Sequence, residues 1–151
     1  MGYRYLDAAE RKIVAELQRD ARLTHAEIAR RVGISRSAVG EKIRGLEDRG
    51  IIQGYEVRVD PQAVGLFVTA FIRIRITAAG PQAQKLTELA LETPEIWECH
   101  RTTGDDSFIL KVRVESVPAL EKLIDRLTPF GVTSTSLVLS SPVERRLGPL
   151  G

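Results

Sequence analysis

One cysteine, Cys99, and two histidines, His25 and His100, are all that 151 residues contain of those types. An internal disulfide framework is excluded, and the usual zinc-ligand spacings cannot be assembled. No apolar run approaches the roughly 18 residues that span a bilayer. The opening M-G-Y-R-Y-L-D lacks the apolar stretch of a secretion signal, so a cytoplasmic protein with no membrane partner is expected. Neither a nucleophile elbow nor a phosphate-binding glycine loop occurs. Cys99 and His100 are adjacent and on a strand would point to opposite faces, which prevents a nucleophile and base pair. The chain is therefore not read as an enzyme: no catalytic residue, no metal and no cofactor is assigned. Charge of one sign is also scarce. The net charge is +2, with 12 Lys/Arg against 10 Asp/Glu in residues 1–60 and 10 against 10 in residues 61–151. So small an excess argues against indiscriminate polyanion binding and suits a protein that touches a short site and gains strength by repetition. An anionic partner belongs with the N-terminal half.

What is present is patterned. With 43% hydrophobic and 28% charged residues the composition is globular, and the length suits one domain or two small ones. Asp7 followed by Glu10 makes a capping box, and Ile13, Val14 and Leu17 recur at helical spacing, which predicts a helix over Ala8–Arg19. Thr24 and Glu27 repeat the box ahead of Ile28, Ala29 and Val32. Gly33 stands where the chain must turn, because glycine enters the left-handed region without steric cost. Ser35 then caps a third helix with the stripe Val39, Ile43 and Leu46.

Two short amphipathic helices joined at Val32-Gly33-Ile34 are the sequence form of a helix-turn-helix. The free face of its second helix, Arg36, Ser37, Gly40, Glu41 and Arg44, suits a DNA major groove, with Ser35, Thr24 and His25 near phosphates. The same residues also describe an ordinary solvated helix face. Glu41 suits either a cytosine amino group or a pairing within its helix. Gly40 either permits close approach to DNA or is a tolerated surface glycine.

Ile51–Val59 turns to strand-like patterning, read as a short wing or an extended linker, until Asp60-Pro61 breaks it. From Phe67 to Ile76, Val68, Ala70, Ile72, Ile74 and Ile76 alternate with Phe67, Thr69, Phe71, Arg73 and Arg75. A helical stripe (Leu86, Leu89, Ala90), a hairpin of strands over Ile96–Thr102 and Phe108–Val114, a helix capped by Ser116 (Leu120, Leu123, Ile124, Leu127) and a last strand over Val132–Leu139 follow. The fold class is thus α+β: a winged helix-turn-helix with its linker strand over residues 1–60, a ferredoxin-like βαββαβ domain over 65–140, and a tail over 141–151. Both helical stripes and Trp97 are read as packing. The other sheet face, with Phe67, Phe71 and Ile109 among Arg73, Arg75, Lys111 and Arg113, is half-apolar and calls for a second copy. Backbone N–H groups at Gly104 and Asp105 suit a carboxylate, and Asp105 and Asp106 an ammonium. The same residues also make an ordinary turn.

The segments L-D-A-A-E-R-K-I-V-A-E-L-Q-R-D-A-R-L-T, I-A-R-R-V-G-I-S-R-S-A-V, R-G-L-E-D-R-G-I-I, Gly54-Tyr55, Glu98-Cys99-His100, Thr103-Gly104-Asp105, F-I-L-K-V-R-V and Phe130-Gly131-Val132 occur in this order and spacing. Together they resemble the Lrp/AsnC family, the feast/famine transcriptional regulators, from Leu6 to about Ser140. The resemblance implies double-stranded DNA and a small-molecule effector, an amino acid or related metabolite, as partners. It also implies a homodimer assembling into higher oligomers such as an octamer. Effector contacts would fall on Thr103, Gly104, Asp105, Asp106, Ser107 and Thr135. The chain departs from many members at Asp106 and Ser107, where an aromatic residue and a second acid are common, and at Leu137, where threonine is. The function expected is a sequence-specific DNA-binding transcriptional regulator whose C-terminal domain oligomerises and senses that effector. The competing readings are an effector-independent architectural DNA-binding protein and a metabolite-binding regulatory subunit without a DNA role.

Overall fold

The computed structural model describes residues 6–77 and 80–145. They divide into two compact units, one formed by residues up to Val57 together with those from Val143, the other by Arg58–Pro142. Each has its own core.

In the first unit α1 (Ala8–Arg19), α2 (His25–Val32) and α3 (Arg36–Asp48) form a three-helix cluster. Both capping boxes close: Asp7 accepts the Glu10 N–H while Glu10 accepts the Asp7 N–H, and Thr24 and Glu27 do the same. Gly33 takes φ +81 and ends α2, as the turn requires. Ile13, Ile28, Val39 and Leu46 are fully buried, with Leu17, Leu23, Val32 and Ile34 packed around them. Two ion pairs clamp the start of α1 to α3: Lys42 to Asp7 at 2.6 Å and Arg49 to the buried Glu10 at 2.5 Å. The Lys42 hydrogen bond, with the capping N–H groups, holds the Asp7 carboxyl below its ordinary range.

Beyond α3 the N–H groups of Ile51 and Ile52 return to the Leu46 carbonyl. Residues 53–59 then run without helix or strand. Among the described residues neither a wing strand nor the expected linker strand forms over this stretch, because no neighbouring strand supplies a ladder. Of the expected tail, Arg145 hydrogen-bonds Glu56 in this same unit, and residues 146–151 lie outside the described residues.

The second unit runs β1 (Val68–Arg75), α4 (Gln82–Glu92), β2 (Ile96–Arg101), β3 (Phe108–Val114), α5 (Val117–Leu127) and β4 (Val132–Leu137). The strands pair antiparallel in the order β2-β3-β1-β4, which is the ferredoxin-like arrangement. Ala70, Ile72 and Ile74 of β1 and Leu110 and Val112 of β3 meet Leu86 of α4 and Leu120, Leu123 and Leu127 of α5 in one core. The period-2 alternation read from the sequence is this division between helix-covered and uncovered faces. The first strand begins one residue later than expected, leaving exposed Phe67 before it. The last ends at Leu137 rather than Leu139.

One charged residue departs from its expected place. Arg113 shares the uncovered face with Thr69 by register, yet only 6% of it is exposed. A bulge between Ile96 and Glu98 sets the Trp97 ring over its guanidinium, 4.3 Å from the ring centroid. Trp97, read as packing, packs on a cation at the surface and not in the core: it is half-exposed and covers Arg113.

Candidate DNA-reading face and effector turn

Helical geometry divides the surface of α3 in three. Val39, Ile43 and Leu46 face the core, Lys42 leans toward Asp7, and Arg36, Ser37, Glu41 and Arg44 stand exposed. Among the described residues Arg36 and Arg44 hold no ion pair, although Glu41 and Glu47 lie three positions to either side of Arg44. Two uncompensated guanidinium groups on one helix face are suited to phosphate or guanine. Ser35 Oγ accepts the Ala38 N–H at 3.2 Å and lies 3.1 Å from Ser37 Oγ. Both hydroxyls thus serve the helix start. On α1 and α2, Arg19 and Arg31 both pair with Glu16, whose carboxyl the Arg31 bond, above all, holds below its usual range, while exposed Lys12, Arg22 and Arg30 hold no ion pair among the described residues.

Gly40 has a neighbour that its position within α3 does not reveal. It is half-buried, and a Cβ there would meet the ring of His25 at the start of α2, 3.3 Å from Nδ1 and 3.5 Å from Cε1. His25 and Gly40 are brought together, so two candidate DNA residues form one contact between α2 and α3. The His25 ring is exposed and can yield by a few tenths of an ångström, while glycine in a helix interior costs about 1 kcal/mol against alanine. Gly40→Ala is accordingly expected to raise the stability of this unit by up to about 1 kcal/mol, measured by urea unfolding.

Next to this contact lies a cleft of about 380 Å³ whose lining includes Leu17, Leu23, His25, Ile43, Glu47 and Tyr55. Tyr55 donates its hydroxyl to Glu47 Oε1 at 2.9 Å. Burial first, and then this bond, raises the phenol above its ordinary range and keeps it a donor. Sequence reasoning assigned neither residue, although Gly54-Tyr55 was one of the motifs it singled out.

In the second unit the turn from Thr102 to Ser107 joins β2 to β3. It is closed by the Thr102 N–H on the Ser107 carbonyl and by Thr102 Oγ1 donating to the Asp106 carbonyl at 2.7 Å. Gly104 takes φ +98 at the exposed loop tip. The N–H groups of Thr103, Gly104 and Asp105 meet no acceptor among the described residues, an arrangement suited to an anion. The two acids differ: Asp105 is exposed without an ion pair among the described residues, whereas Asp106 has Arg73 Nε at 3.9 Å. Arg73 also reaches Ser134 Oγ at 3.2 Å and Ser136 Oγ at 3.5 Å on β4. Alternation placed Arg73 on the uncovered face but carried no sign of its proximity to the turn.

Two other candidates sit differently. Ser107 is tied to β1, its N–H donating to Ile74 O and its Oγ accepting the Ile76 N–H at 3.1 Å. Thr135 pairs in register with Ile72, on the helix side of the edge strand, with β1 between it and the turn. One copy of the chain does not bring Thr135 to the loop tip.

On the uncovered face Glu98 pairs with Lys111 at 3.0 Å and His100 at 3.2 Å, beside Phe71 and Ile109. The Lys111 bond leads in holding the Glu98 carboxyl low. Cys99 lies in register with Leu110, on the side opposite His100, and partial burial raises its thiol. The described residues contain no group of three or more His, Cys, Asp or Glu placed to hold a metal, and no helix long and apolar enough to cross a membrane.

A family model for the winged helix-turn-helix DNA-binding domain matches residues 6–53, and one for the Lrp/AsnC ligand binding domain matches residues 69–147. The HTH-type transcriptional regulator LrpA of Mycobacterium tuberculosis is 40% identical over 136 residues, covering 89% of each chain. The chain belongs to the Lrp/AsnC family. Two solved relatives of that family's fold carry a ligand in their descriptions. A transcriptional regulator of Neisseria meningitidis in complex with L-Met superposes with a TM-score of 0.90 at 29% identity, over 96% of this chain and 97% of that one. The feast or famine regulatory protein of M. tuberculosis complexed with L-methionine gives 0.84 at 34% identity, over 95% and 99%.

Proposed function

We propose that this Lrp/AsnC chain is a sequence-specific DNA-binding transcriptional regulator that reads DNA through Arg36, Ser37, Glu41 and Arg44, with Thr24, His25, Ser35 and Gly40 flanking the groove. The observation that carries the reading is the pair of exposed, ion-pair-free guanidinium groups on α3 within a matched helix-turn-helix domain. One such unit buries too little surface for tight specific binding. A dimer is the smallest form that would present two recognition helices, about 34 Å apart on successive turns of DNA. The half-apolar uncovered sheet face favours a second copy, with assembly beyond the dimer left to measurement by light scattering.

The effector reading places an amino acid at the loop tip, its carboxylate on the free N–H groups of Thr103, Gly104 and Asp105 and its ammonium near Asp105. Asp106 is the weaker ammonium partner because Arg73 already faces it. Ser107 acts by holding the loop to β1, and Thr135 reaches a ligand only if another copy of the chain supplies it. L-methionine is the first probe, since it is the ligand named with two relatives.

A gel shift on the DNA upstream of the protein's own coding region, repeated with each amino acid at fixed salt, tests both halves. Retardation is expected, and its absence at low salt would remove the DNA reading. In parallel, ligand at about 100 times its Kd stabilises the native state by about 2.7 kcal/mol and raises the unfolding temperature by roughly 5–10 °C. If no amino acid does so while DNA is still bound, the architectural reading replaces the effector reading.

A further inference from the structure

We propose that Tyr55 is a positioning residue that restricts the half-site spacing this protein accepts on DNA, by hydrogen-bonding the segment leaving the helix-turn-helix to Glu47 on α3. The inference rests on the reading of α3 as the DNA-reading helix and extends it to what aims that helix.

Apart from the Arg145 bond to Glu56, the segment has little in its own backbone to fix its direction. Residues 53–59 lie outside any helix or strand and make no backbone–backbone hydrogen bond among the described residues. Val57 and Val59 are exposed, and Gly54, at φ +155, provides a joint directly before Tyr55. Against that background Tyr55 is held twice. Its hydroxyl donates to Glu47 Oε1 at 2.9 Å, and its ring walls the cleft shared with Leu17, Leu23 and Ile43. Glu47 is one turn along α3 from Arg44, so the bond runs to the helix that carries the candidate base contacts rather than to a distant part of the unit.

The lever is long enough to matter. A chain reaches at most about 3.3 Å per residue, so residues 55–59 span up to about 16 Å. A swing of about 20° at its root moves the far end by about 5 Å, more than the base-pair rise of about 3.4 Å. In any assembly that joins two such units, a fixed root narrows the range of spacings open to the two helices. A loose root spreads it over several base pairs and lowers the effective concentration at any one.

The test uses the full chain and DNA duplexes carrying two copies of the half-site that the wild type selects from a random pool. Spacers are lengthened and shortened one base pair at a time, with a single half-site duplex alongside. Tyr55→Phe keeps the ring and removes only the hydroxyl, Glu47→Met removes the acceptor, and Glu47→Gln keeps an acceptor oxygen. The wild type is expected to prefer its best spacer at least tenfold over spacers two base pairs away. Tyr55→Phe and Glu47→Met should flatten this to about twofold, Glu47→Gln should retain it, and single half-site affinity should stay within twofold. An unchanged spacing profile in Tyr55→Phe, or a loss of the same size on the single half-site, overturns the proposal. A wild type that binds DNA without spacing preference overturns it alone, whereas a wild type that selects no DNA overturns the DNA reading and this inference with it.

Discussion

Replacing Arg36 and Arg44 together by alanine is expected to lower affinity for the protein's specific DNA at least about 100-fold, because each base or phosphate contact is worth about 1–3 kcal/mol and every copy in an assembly loses both. The fold should not notice. Both side chains are exposed, neither holds an ion pair among the described residues, and alanine is a strong helix former. Circular dichroism, urea midpoint and oligomer mass are therefore expected to match the wild type. Lys85→Ala with Lys122→Ala removes the same charge from exposed positions on α4 and α5 and serves as the control. A loss equal to that control would reduce the effect to net charge, and a loss below twofold would remove α3 as the reading helix. Salt titration of the single variants separates the roles. An arginine on phosphate lowers the salt slope by about one per contact, whereas one on a base edge changes which sequences are preferred.

The helices of the first unit were legible because local chemistry defines them. Asp7 with Glu10 and Thr24 with Glu27 mark two starts, Gly33 marks a stop, and α1 occupies the span its pattern predicts. The sheet was legible for a related reason: in β1 a period of two separates Ala70, Ile72 and Ile74 from Phe71 and Arg73. What the pattern could not carry is contact between elements. That Gly40 lies under His25 depends on how α2 crosses α3, and nothing within α3 encodes it. Arg113 is buried because a bulge shifts Trp97 across from it, and counting by twos from Ile96 loses the register there. In the candidate effector turn, residue type pointed to Gly104 and Asp105, whose N–H groups meet no acceptor among the described residues, and the family resemblance added Ser107, whose hydroxyl is occupied by Ile76. Residue type alone cannot distinguish a donor that is free from an acceptor already used.

Gly131→Ala is expected to destabilise the second unit by about 3 kcal/mol or more, at or above the upper end of what overpacking a filled site costs. The backbone angle is not the reason, since its φ of 164 is extended and open to any residue. The obstacle is contact: a Cβ would stand 2.2 Å from the carbonyl oxygen of Arg75 and 2.9 Å from its carbon. Those are backbone atoms at the end of β1, where Arg75 pairs with Val132, so alanine must part β1 from β4 at the place their pairing begins. That separation also loosens Ser134 and Ser136, which hold Arg73 near Asp106 of the turn. Any amino-acid-induced thermal shift should therefore shrink along with stability. Gly45→Ala is the contrasting control: nothing lies within 4 Å of its Cβ position, it sits inside α3, and the change should stabilise the first unit by about 1 kcal/mol. Because the two units have separate cores, urea unfolding followed by Trp97 fluorescence should report the Gly131 loss, while helical circular dichroism also registers the Gly45 gain. A Gly131→Ala midpoint within about 0.5 kcal/mol of wild type would mean that the junction of β1 and β4 can open freely. The tight entry of β4 beside β1 would then no longer explain why Phe130-Gly131-Val132 carries glycine.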